Sequence, residues 1–291
     1  MSLSLRAMLP TSSPLATLAA LPVCANGFCP RPPTLWQRWW ARHEGLWLQK
    51  HWYCSPECFQ EGLLLRLNQS AVLHPRRAPQ PTRTPLGLVL LSRGAITHIQ
   101  LRAALEAQRM AGSGRLGEWL VRMGAVLEPQ VTAALAVQQG CPVFAAREPQ
   151  CLPATMHWPS PLAQSYLAVP VFYNRTQSNL YVGFLEGVQH SFLYALEQML
   201  QCRTHPCILP PAVFRENMER RTCPGESETI VIQQRQNSIE MTRTIANYAA
   251  QVHAETCGIT ECDDHLWIRL GCPNSFHVDF LFRLPLGSRV V

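Results

Sequence analysis

The sequence predicts an α+β fold made of a small cysteine-containing module, a helical subdomain built from two repeated segments, and small mixed α/β subdomains. The helical part is indicated by a 24-residue segment that occurs twice between residues 85 and 138. The α/β part is indicated by short apolar segments after residue 160, which are separated by polar turns and alternate with amphipathic stretches. A chain of 291 residues is long enough for two or three such units.

Composition places few limits on function. The net charge of +6 comes from only 15% charged residues and no long basic block, so it favours anionic partners only weakly. There is no apolar run of 18 or more residues, and we expect a cytoplasmic protein that keeps most of its 12 cysteines reduced or metal-bound. Residues 1–19 contain two prolines and one basic residue, a pattern that favours a disordered leader over a signal peptide.

Residues 20–74 contain two cysteine pairs with spacing compatible with a metal site. A predicted hairpin, GLWLQKHWY, leads into the second pair, and Ser55-Pro56-Glu57 is typical of a helix start. Thiolates at a hairpin end and at a helix start can converge on one zinc ion, in a structural role because four protein ligands leave no open position. The segment resembles a treble-clef or TRASH-type zinc finger. The predicted zinc ligands are Cys24, Cys29, Cys54 and Cys58, and the alternative is that these are four unrelated thiols.

The repeat begins after a proline- and arginine-rich segment, residues 75–84, which is a predicted linker. Copy one, residues 85–108, reads PLGLVLLSRGAITHIQLRAALEAQ, and copy two, residues 115–138, reads RLGEWLVRMGAVLEPQVTAALAVQ. Each copy has room for a short helix, a glycine turn and a longer helix. These helices are predicted at 86–93 and 98–109 in copy one, and at 116–123 and 128–139 in copy two.

The paired motif resembles the N-terminal domain of type II secretion and type IV pilus assembly ATPases, whose template reads RLGxxLxxxGxxxxxxLxxxLxxQ, twice. In some members of that family this domain binds cyclic di-GMP. The resemblance implies that residues 85–222 form such a domain, with the helical repeat in 85–140 and an α/β part in 141–222. It also implies a cyclic di-GMP site formed by Leu86, Gly87, Leu90, Leu101, Leu105 and Gln108 of copy one and by Arg115, Leu116, Gly117, Leu120, Val131, Leu135 and Gln138 of copy two.

Copy one departs from the template at its first position, where Pro85 replaces the arginine. A guanidinium can bind a guanine edge bidentately or neutralise a phosphate, whereas proline offers no donor. Losing one charge-assisted hydrogen bond costs about 1.5–3 kcal/mol, or roughly ten- to hundredfold in affinity. Arg83 is a candidate substitute with a different geometry. The alternative for the whole pattern is that leucine and glycine at these spacings serve only helix packing.

Residues 223–291 are predicted to form a linker, a helix at 234–255 and a β-hairpin with strands at 265–270 and 276–282. In outline this fragment resembles the start of the domain that precedes the motor in the same ATPases. The sequence has no GxxxxGK[ST] motif and no other catalytic constellation. We therefore expect no enzymatic activity.

The resemblance implies a non-catalytic regulatory or adaptor protein of a type II secretion or type IV pilus-like system. Its expected partner is a protein or ATPase of that machinery, with cyclic di-GMP as a ligand and structural zinc. The alternative is a zinc-finger module that binds nucleic acid or serves transcription, using Arg76, Arg77 and Arg83. The low charge density makes nucleic acid the weaker expectation.

Overall fold

The computed structural model describes residues 23–30, 45–72, 83–144, 152–220, 227–234 and 236–284. These residues form a mixed α+β structure with nine α-helices and two β-sheets. The predicted leader, residues 1–19, and most of the predicted linker, residues 75–84, lie outside them. Within the described part of the chain, no helix is both long and apolar enough to cross a membrane.

The cysteine-containing segment folds as a hairpin followed by a long helix. Its elements are β1 (Leu46–Leu48), β2 (His51–Tyr53) and α1 (Pro56–Val72), and the two strands pair antiparallel. Helix α1 begins where the sequence indicates, because Pro56 fits the first helical position and the Ser55 hydroxyl accepts a hydrogen bond from the Cys58 backbone N–H at 3.3 Å.

Four helices follow as two pairs, each with a short and a longer helix. They are α2 (Leu86–Ser92), α3 (His98–Ala111), α4 (Leu116–Arg122) and α5 (Glu128–Gln139). In each pair the glycine after the short helix, Gly94 or Gly124, has a φ of +66°, a conformation that glycine adopts without strain. The backbone N–H of the next residue donates to the carbonyl of Leu90 or Leu120, at 3.0 Å in both pairs.

Residues 152–220 contain a three-stranded sheet with helices around it. Strands β3 and β4 pair antiparallel, β4 and β5 pair parallel, and the order is β3-β4-β5. The end of the helical segment joins this sheet, because Val143 forms a parallel bridge with Ile208. The elements are α6 (Ser160–Tyr166), β3 (Ala168–Asn174), β4 (Asn179–Phe184), α7 (His190–Leu200), β5 (Arg203–Ile208) and α8 (Pro211–Arg220).

The C-terminal segment forms most of a six-stranded sheet with the order β2-β1-β7-β8-β9-β6. Its elements are β6 (Ser227–Ile232), α9 (Ser238–Gln251), β7 (Thr256–Cys262), β8 (His265–Gly271) and β9 (His277–Arg283). Strands β6 and β7 are not indicated by the sequence pattern, which predicted a linker at 223–228 and a helix running to residue 255. The N-terminal hairpin extends this sheet, since β1 pairs parallel with β7.

Both faces of the six-stranded sheet are covered. On one face, Phe59 and Leu63 of α1 and Ile245 of α9 share a core with the strands. On the other face, Trp267 and Leu281 share a core with residues of α6 and α7. Residues 45–72, 152–220 and 227–284 are therefore linked by common cores, and the division into separate domains at 20–74, 85–222 and 223–291 stays a prediction.

A buried ion pair joins the segment before α6 to the same sheet. Arg269 donates from Nε and Nη2 to Asp279 at 2.8 and 2.9 Å, and it also donates to the carbonyls of Thr155 and His157 at 3.1 and 2.7 Å. The Trp267 indole N–H donates to the same carboxylate at 2.7 Å. Because these groups satisfy one another, we interpret the pair as structural.

Candidate functional site

The two helix pairs have equivalent cores. Residues 30 positions apart in the chain are buried in one cluster. The equivalent buried pairs are Leu90 with Leu120, Ile96 with Val126, and Ala104 with Ala134. These positions carry the packing of the helices rather than an accessible surface.

Gly87 and Gly117 bring the starts of the two short helices close together. A Cβ on Gly87 would lie 2.8 Å from Leu101 Cδ1 and 3.3 Å from Leu116 Cδ2, and a Cβ on Gly117 would lie 2.8 Å from Val131 Cγ1 and 3.5 Å from Leu86 Cδ2. Each glycine therefore faces the long helix of its own copy and the first leucine of the other. In this structure both glycines are buried and serve close packing.

The two glutamines that end the motifs connect the copies reciprocally. Gln108 of copy one donates from Nε2 to the carbonyl of Gly114 at 2.9 Å, and Gln138 of copy two donates from Nε2 to the carbonyl of Thr84 at 2.8 Å. Gly114 and Thr84 are the residues that precede copy two and copy one, respectively. Each long helix therefore bonds the residue that precedes the other copy.

The thirteen residues predicted to contact cyclic di-GMP differ in accessibility. Leu90 and Leu120 are fully buried, and Gly87 and Gly117 are also buried. The guanidinium-bearing side chain of Arg115 is the most open of the set, with 59% of its surface exposed. The half-buried members are Leu86, Leu101, Leu105, Gln108, Leu116, Val131, Leu135 and Gln138. A contact with ligand stays a prediction for each of them.

Arg115 lies at the N-terminus of α4, where its backbone N–H donates to the Glu118 carboxylate at 3.3 Å. Its guanidinium forms an ion pair with Glu186, which follows β4 in the α/β part of the chain. Glu186 was not identified from the sequence, because nothing in the motif indicates a residue that is distant in the chain. The indication that the sequence offers for Glu186 is its position after an apolar strand.

Arg83 and Pro85 occupy the equivalent end of copy one. Pro85 precedes α2 and contributes no side-chain donor, whereas Arg83 donates to the side-chain carbonyl oxygen of Gln139. The same oxygen accepts a hydrogen bond from the Val188 backbone N–H at 3.1 Å. Arg83 and Arg115 therefore both face the short segment 186–188, Arg115 directly and Arg83 through Gln139.

The four predicted zinc ligands lie together. The sulfur atoms of Cys24, Cys29, Cys54 and Cys58 are all within 4.8 Å of one another. Two of these separations are 3.5 Å, between Cys29 and Cys54, and 3.9 Å, between Cys54 and Cys58. A tetrahedral ion with bonds of about 2.3 Å places its sulfur ligands about 3.8 Å apart, so the cluster has the dimensions of a zinc site with four cysteine ligands.

Hydrogen bonds hold the segment with the first cysteine pair against the hairpin and α1. The Ala25 backbone N–H donates to the Trp52 carbonyl at 2.8 Å, and the Asn26 side chain donates to Glu61 at 2.6 Å. Burial and hydrogen bonding within the cluster raise the pKa of the Cys54 thiol well above its usual range. Ionised thiolates at this site therefore need a cation beside them, which is what a zinc ion supplies.

Comparison with known proteins gives partial likenesses to solved structures. Over about half its length, the chain is similar to MshE with cdg. The identity is 26%, the match covers 48% of this chain and 99% of that one, and the TM-score is 0.40. The N-terminal domain of XpsE matches at 17% identity over 46% of this chain and 92% of that one, with a TM-score of 0.35. A second crystal form of that domain, I4122, matches at 20% identity over 51% and 99%, with a TM-score of 0.29.

No family model and no curated protein sequence matches the chain. The function proposed for this chain therefore rests on its own residues.

Proposed function

We propose that this chain is a non-catalytic regulatory or adaptor protein of a type II secretion or type IV pilus-like system, and that its helical repeat binds cyclic di-GMP. The single observation that carries the proposal is the reciprocal contact between the two copies, in which Gln108 and Gln138 each fix one long helix to the start of the other copy. Cyclic di-GMP consists of two identical halves, and the two helix pairs offer similar surfaces that differ at the first residue, Arg115 in one copy and Pro85 in the other.

The chemistry of the accessible residues suits a nucleotide of this kind. Arg115 supplies a cation that can bind a guanine edge bidentately or neutralise a phosphate. The half-buried side chains of Leu86 and Leu116 provide apolar surface for a purine face, close to that cation. Gln108 and Gln138 keep their side-chain oxygens available as acceptors, since only their amide nitrogens bond within the unit.

The proposal of a non-catalytic role rests on the sequence. The 291 residues contain no phosphate-binding GxxxxGK[ST] motif, and hydrolysis of ATP by the P-loop mechanism needs its lysine and hydroxyl. A regulatory domain would act by binding a nucleotide and passing the change to a protein of the secretion or pilus machinery. The nucleic-acid alternative depends on Arg76 and Arg77, which lie outside the described residues, and on Arg83, which bonds Gln139.

A calorimetric titration of the full chain with cyclic di-GMP tests the ligand assignment. We expect saturable heats at micromolar concentrations and weaker or no heats with GMP, because a mononucleotide engages only one copy. A duplex and a single-stranded oligonucleotide serve as controls for the alternative. Binding to these that weakens with salt, together with flat heats for the cyclic dinucleotide, would favour the nucleic-acid module instead.

We further propose that the four-cysteine cluster binds one structural zinc ion that joins the segment with Cys24 and Cys29 to the end of the hairpin and the start of α1. Replacing Cys29 or Cys54 with serine is expected to abolish stoichiometric zinc and to lower the urea midpoint, because zinc binding supplies folding free energy. Cys272→Ser is the matched control, since Cys272 lies outside the cluster. Metal analysis that finds no zinc in the purified wild-type protein contradicts the proposal.

A further inference from the structure

Residues 185–188, in the connection between β4 and α7, are held on both sides of their only acidic residue, Glu186. The Leu185 backbone N–H donates to the Leu167 carbonyl at 3.0 Å, and the Val188 backbone N–H donates to the Gln139 side chain at 3.1 Å. The Val188 side chain is 3% exposed and lies in the core shared by α6, α7 and the six-stranded sheet. Glu186 is thus presented from a well-anchored segment.

The carboxylate of Glu186 pairs with the guanidinium of Arg115. Only 21% of the Glu186 side chain is exposed, while 59% of the Arg115 side chain is. The glutamate is the more buried partner, and the arginine reaches it from the start of α4. Arg115 is also the only arginine that stands at the first position of either copy, because copy one has Pro85 there.

We propose that Glu186 is a built-in competitor for the anionic ligand of the repeat. Its carboxylate pairs with the cation that a phosphate or a guanine edge would use, so the ligand must displace Glu186 from Arg115 in order to bind. This inference rests on the proposed function, since it concerns the same site. A tethered carboxylate competes at a high effective concentration, which lowers the apparent affinity for a ligand in solution.

The exchange also couples the repeat to the rest of the chain. The Arg115–Glu186 pair and the Gln139–Val188 bond connect the four helices to the segment that leads into α7. A ligand that takes Arg115 removes one of these two connections. Ligand binding therefore shifts the equilibrium towards the state in which segment 185–188 is released from the helices. The size of this shift is set by the ratio of the ligand's affinities for the released and the attached state.

The experiment compares cyclic di-GMP binding by the full-length wild type, Glu186→Gln and Glu128→Gln. Glu186→Gln keeps the shape of the side chain and removes its charge, and we expect binding about two- to fivefold tighter than wild type, the range for a partly exposed ion pair. Glu128→Gln removes one charge from α5 while leaving the Arg115–Glu186 pair intact, and we expect wild-type affinity.

The outcomes separate this inference from the proposed function. Wild-type binding with no gain for Glu186→Gln overturns the competitor and leaves the function standing. Weaker binding by Glu186→Gln also overturns it, because Glu186 then contacts the ligand. Binding by Glu186→Gln alone supports both ideas, and flat heats for all three proteins overturn the proposed function together with this inference.

Discussion

Copy one and copy two of the repeat carry equivalent contacts at their turns, glycines and glutamines, and they differ at the residue that begins them. Copy two begins with Arg115, which reaches Glu186, and copy one begins with Pro85, which has no donor. The shared contacts are those of packing, such as the buried Leu90 and Leu120. The difference, Arg115 against Pro85, lies where a ligand would be recognised. Substitutions at the shared packing residues therefore test the fold, and substitutions at the first residue test ligand binding.

The largest expected effect is the loss of ligand affinity when Arg115 is removed, compared with the loss when Arg83 is removed. Arg115→Ala is expected to weaken cyclic di-GMP binding by roughly ten- to hundredfold, because it removes a charge-assisted bond worth about 1.5–3 kcal/mol. Arg83→Ala should weaken binding less than about fivefold, since the Arg83 guanidinium already bonds the Gln139 side chain in a partly buried setting. Calorimetry of both variants beside Arg102→Ala, an exposed arginine on α3, checks this. An equal loss for Arg83→Ala would show that Arg83 replaces the missing arginine of copy one.

A smaller effect tests the packing that the copies share. Gly117→Ala is expected to lower the free energy of unfolding by about 1–2 kcal/mol, because the new Cβ meets Val131, whose branched side chain has little freedom in a helix. Gly87→Ala should cost less than about 1 kcal/mol, since the end of the Leu101 side chain can move. Urea denaturation measures both, with Gly27→Ala as the control in open space. The opposite order would mean that the two glycines are not packed as described.

The smallest effect concerns the reciprocal glutamine bonds. Gln108→Leu and Gln138→Leu should each lower the free energy of unfolding by about 0.5–1.5 kcal/mol, and by similar amounts, because each loses one equivalent hydrogen bond. Gln164→Leu, at an exposed position on α6, should leave stability unchanged. The urea midpoints of the three variants give the comparison. A loss confined to one glutamine would break the equivalence of the two copies.

Local sequence signals predicted local structure well. Pro56 begins α1, and Gly94 and Gly124 end the short helices, because contacts within a few residues determine these helix boundaries. The four clustered cysteines were also identified from spacing. In these cases a short stretch of sequence determines the local structure.

Contacts between distant segments were not predicted. The pairing of β1 with β7 joins residues 47 and 256, and strands β6 and β7 have no distinct signal of their own. The ion pair of Arg115 with Glu186 and the contact of Arg83 with Gln139 depend in the same way on tertiary packing. A sequence pattern indicates which residues form a helix or strand, but it does not state which distant carboxylate an arginine will meet.

Restoring the missing arginine is the most direct test of an asymmetric nucleotide site. Pro85 has an extended backbone conformation, with φ of −54° and ψ of 140°, that arginine can adopt. In side-by-side calorimetry, Pro85→Arg is expected to bind cyclic di-GMP roughly ten- to hundredfold more tightly than the wild type, because it adds the second guanidinium. Unchanged affinity, or flat heats for both proteins, would contradict the account.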